Sequence, residues 1–471
     1  MLNYFPKYFT TRAIYLYIAS MLTILLFYPS KTMEWYYYII SIVSAIGFFY
    51  FANQLIKQWS NLPEKKFLKK LFITAFSIRL IWVIISYWFY YGVTGQPFEF
   101  QTGDALHYHQ IGQWLSKQEG FNNIWISLYA YWEGKISDIG YSLYLVSLYK
   151  IFGDGVLLVR IIKAILGAYT CVLVYRLTVR TFKNEQTGKM AAVFCGLMPV
   201  LIFYCGLHLK ETEMVFLLVA FAERADYAMR SKKITVKNLI LPILLAGSLF
   251  FFRTVLGAVA ILSFITGIIL TPGRTVNLFN KIILFICLIS AVWVFKGGSI
   301  EEEMAQTIER SQSTGNNAMT WRAERKEGNK LAVYASKSVF APLIFTIPFP
   351  TNIHMPGQEN HEIVGGSFFV KNVMAFFVIY GMIWILFKRK WREYSFLGSL
   401  TVGYLIVLAL STFAHSGRFH LPVIPFELIF AAFGISLITN KAKKYYNFYL
   451  IFLFIAIIGW TWFKLAGRGM A

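Results

Sequence analysis

Long uninterrupted apolar runs dominate the pattern of hydrophobic and polar positions along this chain. Stretches such as AIYLYIASMLTILLFY and VMAFFVIYGMIWILF approach the roughly 20 residues that a helix needs to cross a bilayer. A β-barrel would instead alternate apolar and polar residues. We therefore predict an all-α polytopic membrane protein. The pattern predicts thirteen spanning helices, near residues 13–29, 35–55, 70–92, 156–178, 190–206, 212–229, 237–251, 254–271, 281–296, 371–388, 396–412, 419–437 and 447–464.

The composition agrees with a membrane protein and excludes several other classes. Of 471 residues, 57% are hydrophobic and only 14% are charged, whereas about a quarter are charged in an average soluble protein. No small-residue cleavage site follows the first apolar run, so we expect a retained helix and not a signal peptide. The four cysteines fall in or beside predicted spans without metal-binding spacing, which favours reduced core residues.

Lysine and arginine are distributed unevenly among the predicted loops. With the N-terminus inside, the inner loops hold 25 of them, whereas the short outer loops hold only Lys31, Lys210, Arg253 and Arg418. The positive-inside rule then places the N-terminus in the cytoplasm. The inner loops also account for most of the formal charge of +22. We expect contact with anionic membrane lipids and no nucleic-acid partner, which would need a basic folded domain.

Two long segments on the outer side divide the chain into five predicted units. Helices one to three occupy residues 1–92, and an outer loop with short amphipathic helices follows at 93–155. Helices four to nine occupy 156–296, and a second outer loop covers 297–370. The last four helices occupy 371–471. The first loop would lie along the membrane interface. The second loop either covers a cavity and binds an acceptor or is a mobile solvated loop.

The first outer loop contains an acid, two histidines and a tyrosine in the stretch TGDALHYHQIGQWL. On a helix that starts at Asp104, the residues Asp104, His107, Tyr108 and Ile111 share one face. In one interpretation Asp104 only caps the helix. In the other it belongs to a functional site.

Further ionisable residues return to the same outer face and favour the functional interpretation. They occur in FYCGLHLKETEM, FFFRT, AHSGRFHLPVIPFE and LVRIIKAIL. A single arginine would be expected to snorkel to the lipid headgroups. A whole set near one leaflet is typical of a polar cavity. The set comprises Arg160, Lys163, His208, Lys210, Glu211, Arg253, His415, Arg418 and His420. Deeper in the predicted spans, Arg79 and Glu427 are one candidate ion pair.

Cations and a carboxylate in an outer cavity indicate a particular chemistry. Cations stabilise the phosphate of a lipid-linked donor as it leaves, and a carboxylate deprotonates an acceptor hydroxyl. No GxGxxG or Walker sequence for a nucleotide is present. The pattern therefore favours glycosyl transfer from a polyprenyl phosphate sugar.

Several stretches, in order, resemble the GT-C superfamily of integral membrane glycosyltransferases. The likeness is to the family of protein O-mannosyltransferases and the lipid A aminoarabinose transferase. It is carried by GDALHYHQIGQWL, by GYSLYLVSLYKIFGDGVLLVR, by MAAVFCGLMPVLIFYCGLHLKETEMVFLL and by SGRFHLPVIPFELIFAAFGI. The residues that match the family pattern are Gly140, Tyr141, Gly153, Arg160, Pro199, Glu211, Gly417, Arg418, Pro422 and Pro425. This chain departs from the pattern in having two extra spans before the outer loop and no Asp-Glu pair in it.

The resemblance implies roles for particular residues. It implies that Asp104 is the catalytic base or the acid that binds the acceptor. It implies that Lys210, Arg253 and Arg418 bind the donor phosphate. Further candidates for substrate binding are His107, Tyr108, Glu211, Arg160 and His420. A second carboxylate would come from Asp138 or Glu133. We expect no cofactor, and the loop offers too few acids to favour a divalent metal.

Two other classes stay open. A polysaccharide polymerase or ligase would depend on arginines and histidines and would not need Asp104. A transporter of lipid-linked oligosaccharides would show internal repeats and broken helices in both halves, and no such repeat occurs. The chain also has no Asn-x-Ser/Thr glycosylation sequence, which favours a bacterial inner membrane.

Overall fold

The computed structural model describes residues 2–100, 103–134, 136–231, 236–270, 342–411 and 414–466, with the backbone alone at 236 and 237. Within these ranges the chain forms helices and no β-strand, which confirms the all-α class. The α-helices are α1 Lys7–Phe27, α2 Trp35–Trp59, α3 Glu64–Thr94, α4 Gly103–Ser116, α5 Phe121–Tyr131, α6 Ile139–Phe152, α7 Val156–Phe182, α8 Glu185–Leu197, α9 Pro199–Phe203, α10 Glu211–Arg230, α11 Val236–Phe252, α12 Thr254–Leu270, α13 Glu359–Ile363, α14 Gly365–Phe387, α15 Ser395–Leu410, α16 Gly417–His420, α17 Ile424–Ser436 and α18 Asn440–Ala466.

The lengths and apolarity of these helices make the protein a multi-pass membrane protein. Seven spans in the described part of the chain pass both criteria, or eight if the bent pair α8–α9 is one span. Helices α6, α11, α12 and α15 are apolar but shorter. The count of thirteen is not confirmed. The predicted span 281–296 lies outside the described residues. Helix α10 coincides with the predicted span 212–229 but does not meet the criteria of length and apolarity for a membrane span.

Helix α10 is mostly buried although it carries several charges. Near its C-terminal end, Glu223 and Asp226 are buried, and Arg180 of α7 contacts both of them. Nη2 of Arg180 lies 2.6 Å from Oε1 of Glu223. Nε of Arg230 lies 2.7 Å from Oδ1 of Asp226. Buried carboxylates persist in a core when cations compensate them, so this network explains how a polar helix packs inside the bundle.

Helices α8 and α9 form one bent element, with an angle of 51° at the break. Pro199 begins α9, and proline has no N–H to donate to the preceding turn. The carbonyl oxygens of Cys195 and Gly196 instead accept hydrogen bonds of 3.1 and 3.0 Å from the buried guanidinium of Arg79. Arg79 therefore completes the backbone hydrogen bonding at the break. The suggested ion pair between Arg79 and Glu427 is wrong.

Residues 342–364, called the strap below, run through the protein interior ahead of α14. Buried backbone needs hydrogen-bond partners wherever water is absent. Lys371 of α14 provides them, since its Nζ donates to the carbonyl oxygens of Phe345 at 3.1 Å and Ile347 at 2.8 Å. The same Nζ lies 3.8 Å from Oε1 of Glu427. This part of the second outer segment is packed and not solvated, and the rest of that segment lies outside the described residues.

The turns predicted on the outer side meet at one end of the bundle, called the site end below. There the backbone N–H of His354 in the strap donates to the carbonyl oxygen of Lys31 at 2.9 Å. Nδ2 of Asn360 donates to the carbonyl oxygen of Phe100 at 2.6 Å. Helices α4 to α6 pack at this end and lie within residues 93–155, where short helices were predicted.

Candidate functional site

The predicted acid Asp104 lies in the first turn of α4, where the helix dipole favours a carboxylate. The guanidinium of Arg418, in the first turn of α16, bonds two acids at once. Nη1 donates to Oδ2 of Asp104, and Nε donates to Oε1 of Glu211, the first residue of α10. The Asp104 side chain is 59% exposed, whereas that of Glu211 is fully buried. Asp104 therefore takes part in a cluster of charges and is more than a helix cap.

A second set of contacts centres on Asp138, the residue before α6. Lys210 donates from Nζ to Oδ1 of Asp138 and to the carbonyl oxygen of Phe252, the latter at 2.9 Å. The hydroxyl of Tyr108 donates to the same Oδ1 at 2.6 Å. Asp138 has a φ of 75°, in the left-handed region that Asp tolerates better than most residues. Of the two candidates for a second carboxylate, Asp138 is the one that contacts Lys210 in the described structure.

Arg253 lies in the turn between α11 and α12 and completes the set of predicted phosphate-binding cations. Its Cζ lies 4.4 Å from the centre of the Phe419 ring, next to Arg418. Its Nη1 is buried and has no hydrogen-bond partner among the described residues. Burial lowers the pKa of the Lys210 ammonium well below the usual lysine value, and the positive charge of Arg253 lowers it further. The three cations therefore act on one another at short range.

These residues form what we call the charged cluster, in which acids and cations are equal in number. Its members are Asp104, Asp138, Glu211, Lys210, Arg253 and Arg418. The sequence pattern emphasised cations around one carboxylate, Asp104, whereas the structure gathers three carboxylates with the three cations. Because the buried charges largely compensate one another, the cluster is stable in a low-dielectric interior. Arg253 alone among its cations has no carboxylate within 4.0 Å in the described structure.

The hydroxyl group of Tyr108 lies near several charges of the charged cluster. Burial raises the pKa of the Tyr108 hydroxyl, and the charges of Glu211, Arg418, Asp104 and Arg253 all contribute to the shift. The acids raise this pKa and the arginines lower it. Residues from four separate parts of the chain therefore act on a single hydroxyl group of α4.

A buried pair next to the cluster consists of Arg160, which was predicted, and Glu99, which sequence reasoning missed. Nη2 of Arg160 donates to the carbonyl oxygen of Pro97, while its Nε and Nη1 have no partner among the described residues. Burial raises the pKa of Glu99, and the charges of Arg160 and Arg418 oppose that shift. The available signal was a single acid between two phenylalanines in PFEF, ahead of the predicted helix.

Two of the predicted histidines have contacts outside the charged cluster. His107 lies on an exposed part of α4, and its Nε2 is 2.8 Å from the hydroxyl of Tyr131. His420 is fully buried, and its Nε2 lies 2.8 Å from the carbonyl oxygen of Ala414. His107 thus borders the cluster one helical turn from Asp104, and His420 bonds the backbone of its own turn.

A hydrogen-bonded chain of three side chains supports the turn that carries Lys210. Nδ1 of His109 lies 2.7 Å from the Tyr149 hydroxyl, which lies 3.0 Å from Nε2 of His208. Burial lowers the pKa of both imidazoles, most strongly that of His208, so both are neutral near pH 7. These hydrogen bonds connect α4, α6 and the turn before α10. They thereby hold Lys210, which lies in that turn, close to α4 and α6. His208 belongs to the ionisable set predicted from the sequence, whereas the contacts of His109 and Tyr149 emerge only from the structure.

The described residues contain no group of three or more His, Cys, Asp or Glu side chains placed to share a metal ion. The cluster instead combines one exposed carboxylate with an arginine, Arg253, whose buried Nη1 has no hydrogen-bond partner among the described residues. Chemically, such a site is able to accept a proton at Asp104 and to bind an anion at Arg253.

Comparison with known proteins yields one structural similarity. No protein-family model and no curated protein matches this sequence. Among solved structures, the chain is similar to the archaeal oligosaccharyltransferase AglB from Archaeoglobus fulgidus, determined in complex with an inhibitory peptide and a dolichol-phosphate. The TM-score is 0.42 and the sequence identity is 13%. The similarity covers 86% of this chain and 56% of that protein, so this chain spans about half the length of the protein that it matches.

Proposed function

We propose that this protein is a glycosyltransferase that moves a sugar from a polyprenyl phosphate-linked donor to a hydroxyl group. The acceptor is a lipid-linked glycan, a surface polysaccharide or a protein. The reaction takes place at the non-cytoplasmic face of a bacterial inner membrane and needs no metal cofactor. The proposal rests chiefly on one observation, the charged cluster at the end of a bundle of membrane spans, with an exposed Asp104 and an incompletely bonded Arg253.

The donor phosphate is assigned to Arg253. Its buried Nη1 has an unused donor, and a charge-assisted hydrogen bond to a phosphate oxygen is among the strong ones. Lys210 and Arg418 are held by carboxylates and contribute their electrostatic field. Charges this expensive to bury within a membrane protein usually mark a substrate path. A donor embedded in the membrane through its polyprenyl chain reaches such a site laterally.

The acceptor hydroxyl is assigned to Asp104, the most exposed acid of the cluster. The acceptor oxygen attacks the anomeric carbon of the donor sugar and forms the new C–O bond. The bond between that carbon and the phosphate oxygen breaks, and polyprenyl phosphate leaves with the bonding electron pair. The hydroxyl proton passes to the Asp104 carboxylate. Arg253 stabilises the negative charge that develops on the departing phosphate.

The test is a transfer assay with the full chain reconstituted in lipid vesicles. The donors are polyprenyl phosphates that carry radiolabelled hexoses or pentoses, and a membrane extract supplies the acceptors. We expect Asp104→Asn to abolish transfer while donor binding is retained, and Arg253→Gln to weaken donor binding. Lys117→Gln, which removes an exposed cation just after α4, is the matched control and should behave as wild type.

Two results would count against the proposal. Full transfer by Asp104→Asn, with loss in the Arg253 variant, would favour a polymerase or ligase that depends on cations. Movement of intact labelled donor across the vesicle, without transfer of its sugar, would favour a transporter.

A further inference from the structure

A second feature lies at the end of the bundle opposite the charged cluster. Helix α14 runs away from the strap at the site end, and its 23 residues span roughly 35 Å at 1.5 Å per residue. Beside its far end is a groove of about 320 Å³, partly open to the outside, between α12, α14, α15 and α17. Its lining is almost wholly apolar and includes Leu270, Ile385, Leu386 and Val402. This groove is too far from Asp104 to belong to the proposed site.

The rim of the groove is strongly basic. The turn between α14 and α15 contains four cations, Lys388, Arg389, Lys390 and Arg392, all of them exposed. The one acid in residues 388–393 is Glu393, which leaves a formal charge of +3 (4 − 1) on this turn.

Aromatic side chains connect the basic rim to the apolar lining. Trp391 is itself part of the lining, and Cζ of Arg392 lies 5.2 Å from the centre of its ring. Nζ of Lys390 lies 6.0 Å from the centre of the Trp384 ring. Tryptophan and basic residues are favoured at the depth of lipid headgroups, so the rim lies at the level of the membrane surface.

We propose that this groove binds an anionic phospholipid, with one acyl chain in the apolar groove and the headgroup phosphate on the basic turn 388–392. An acyl chain matches the lining, because the groove offers almost no polar atoms. The charge of the turn selects a headgroup with net negative charge over a zwitterionic one. The bound lipid would fill the space between α12, α14 and α15 and stabilise their packing. The inference is independent of the glycosyl transfer reaction.

A substitution at Gly398 of α15 tests whether the lipid binds in the groove. It belongs to the lining, and a Cβ atom added there would meet no other atom within 4 Å. Gly398→Phe therefore fills the groove without a clash against the backbone. Gly459 of α18 is also free of neighbours within 4 Å, and Gly459→Phe is the matched control.

The experiment is native mass spectrometry of the full chain in detergent, titrated with phosphatidylglycerol or phosphatidylcholine. We expect tight binding of one phosphatidylglycerol and weak binding of phosphatidylcholine. Each basic residue near an anionic membrane surface contributes about 1 kcal/mol, so the triple change Lys388→Gln, Arg389→Gln, Arg392→Gln should weaken binding about 100-fold. Removing three cations by Lys→Gln at residues 441, 443 and 444, at the start of α18, is the control and should leave binding within a fewfold of wild type.

Several results would overturn the proposal that the groove binds an anionic phospholipid. Equal binding of the two lipids, or no effect of the charge change at 388–392, would mean that the groove has no headgroup selectivity. A Gly398→Phe protein with normal lipid binding but lower thermal stability would mean that another part of the chain, such as the predicted span 281–296, occupies the groove. Loss of phosphatidylglycerol in Gly398→Phe, with normal stability and a normal Gly459→Phe control, is the expected outcome.

Discussion

Arg418 contributes both to the stability of the fold and to the proposed reaction. The different exposure of its two acidic partners predicts a different free-energy contribution from each contact. Its partner Glu211 is fully buried, and removing one member of a buried ion pair costs about 3–5 kcal/mol. Its other partner, Asp104, is 59% exposed, and an exposed pair contributes only about 0–1 kcal/mol. We therefore expect Arg418→Met to lower the free energy of unfolding by about 3–5 kcal/mol. Asp104→Asn should change it by about 1 kcal/mol or less.

A double substitution tests whether the buried charge is the cause. In the Arg418→Met, Glu211→Gln protein, the buried carboxylate is gone and only the exposed Asp104 loses its partner, so most of the lost stability should return. Transfer activity should stay low, because the arginine near the donor phosphate is still absent. The assay is reversible unfolding by sodium dodecyl sulfate in mixed micelles, followed by circular dichroism, together with the transfer assay on the same samples.

Two outcomes would refute this account of Arg418. If Glu211→Gln gives no rescue, the arginine stabilises the fold through packing and not through charge. The second outcome is that Asp104→Asn destabilises the protein as much as Arg418→Met does. The first acid of α4 would then be a structural residue, and loss of activity in its variants would carry no information about catalysis.

Three further predictions follow from other contacts. In Asp138→Asn, the transfer rate should begin to fall at a lower pH on the alkaline side of its pH profile. The variant lacks the carboxylate that contacts Lys210, which lowers the already depressed pKa of the Lys210 ammonium, so this group loses its proton at a lower pH. An unchanged alkaline side of the profile would contradict this prediction. Arg79→Leu should destabilise the bundle by about 3 kcal/mol in the same unfolding assay, because two buried carbonyl oxygens lose their donors; wild-type stability would mean that other groups replace them. Gly434→Ala should cost about 1–3 kcal/mol, since the new Cβ would collide with the carbonyl oxygen of Phe377, and a neutral effect would show that the helices separate easily.

Much of the fold follows from signals that lie close together in the sequence. Apolar runs predicted helices at α1, α2, α3, α7 and α14, because crossing a bilayer demands a length of apolar chain that any single stretch displays. The helix that begins near Asp104 was predicted from its local pattern of apolar and polar residues. Helix α10 coincides with the predicted span 212–229, but the hydropathy of a helix does not show the ion pairs that compensate its buried charges.

The sequence by itself determined that this is a helical membrane protein, which ionisable residues approach one face, and that Asp104 opens an amphipathic helix there. Only the tertiary structure decided the pairings. Arg418 bonds two acids that are 314 and 207 residues away in the chain, Arg79 serves a break in another helix, and Glu99 is buried beside Arg160. The physical reason is that hydropathy and helix signals act over a few turns of chain. A buried charge, in contrast, is stabilised by whichever opposite charge the packing of distant helices brings within a few ångströms.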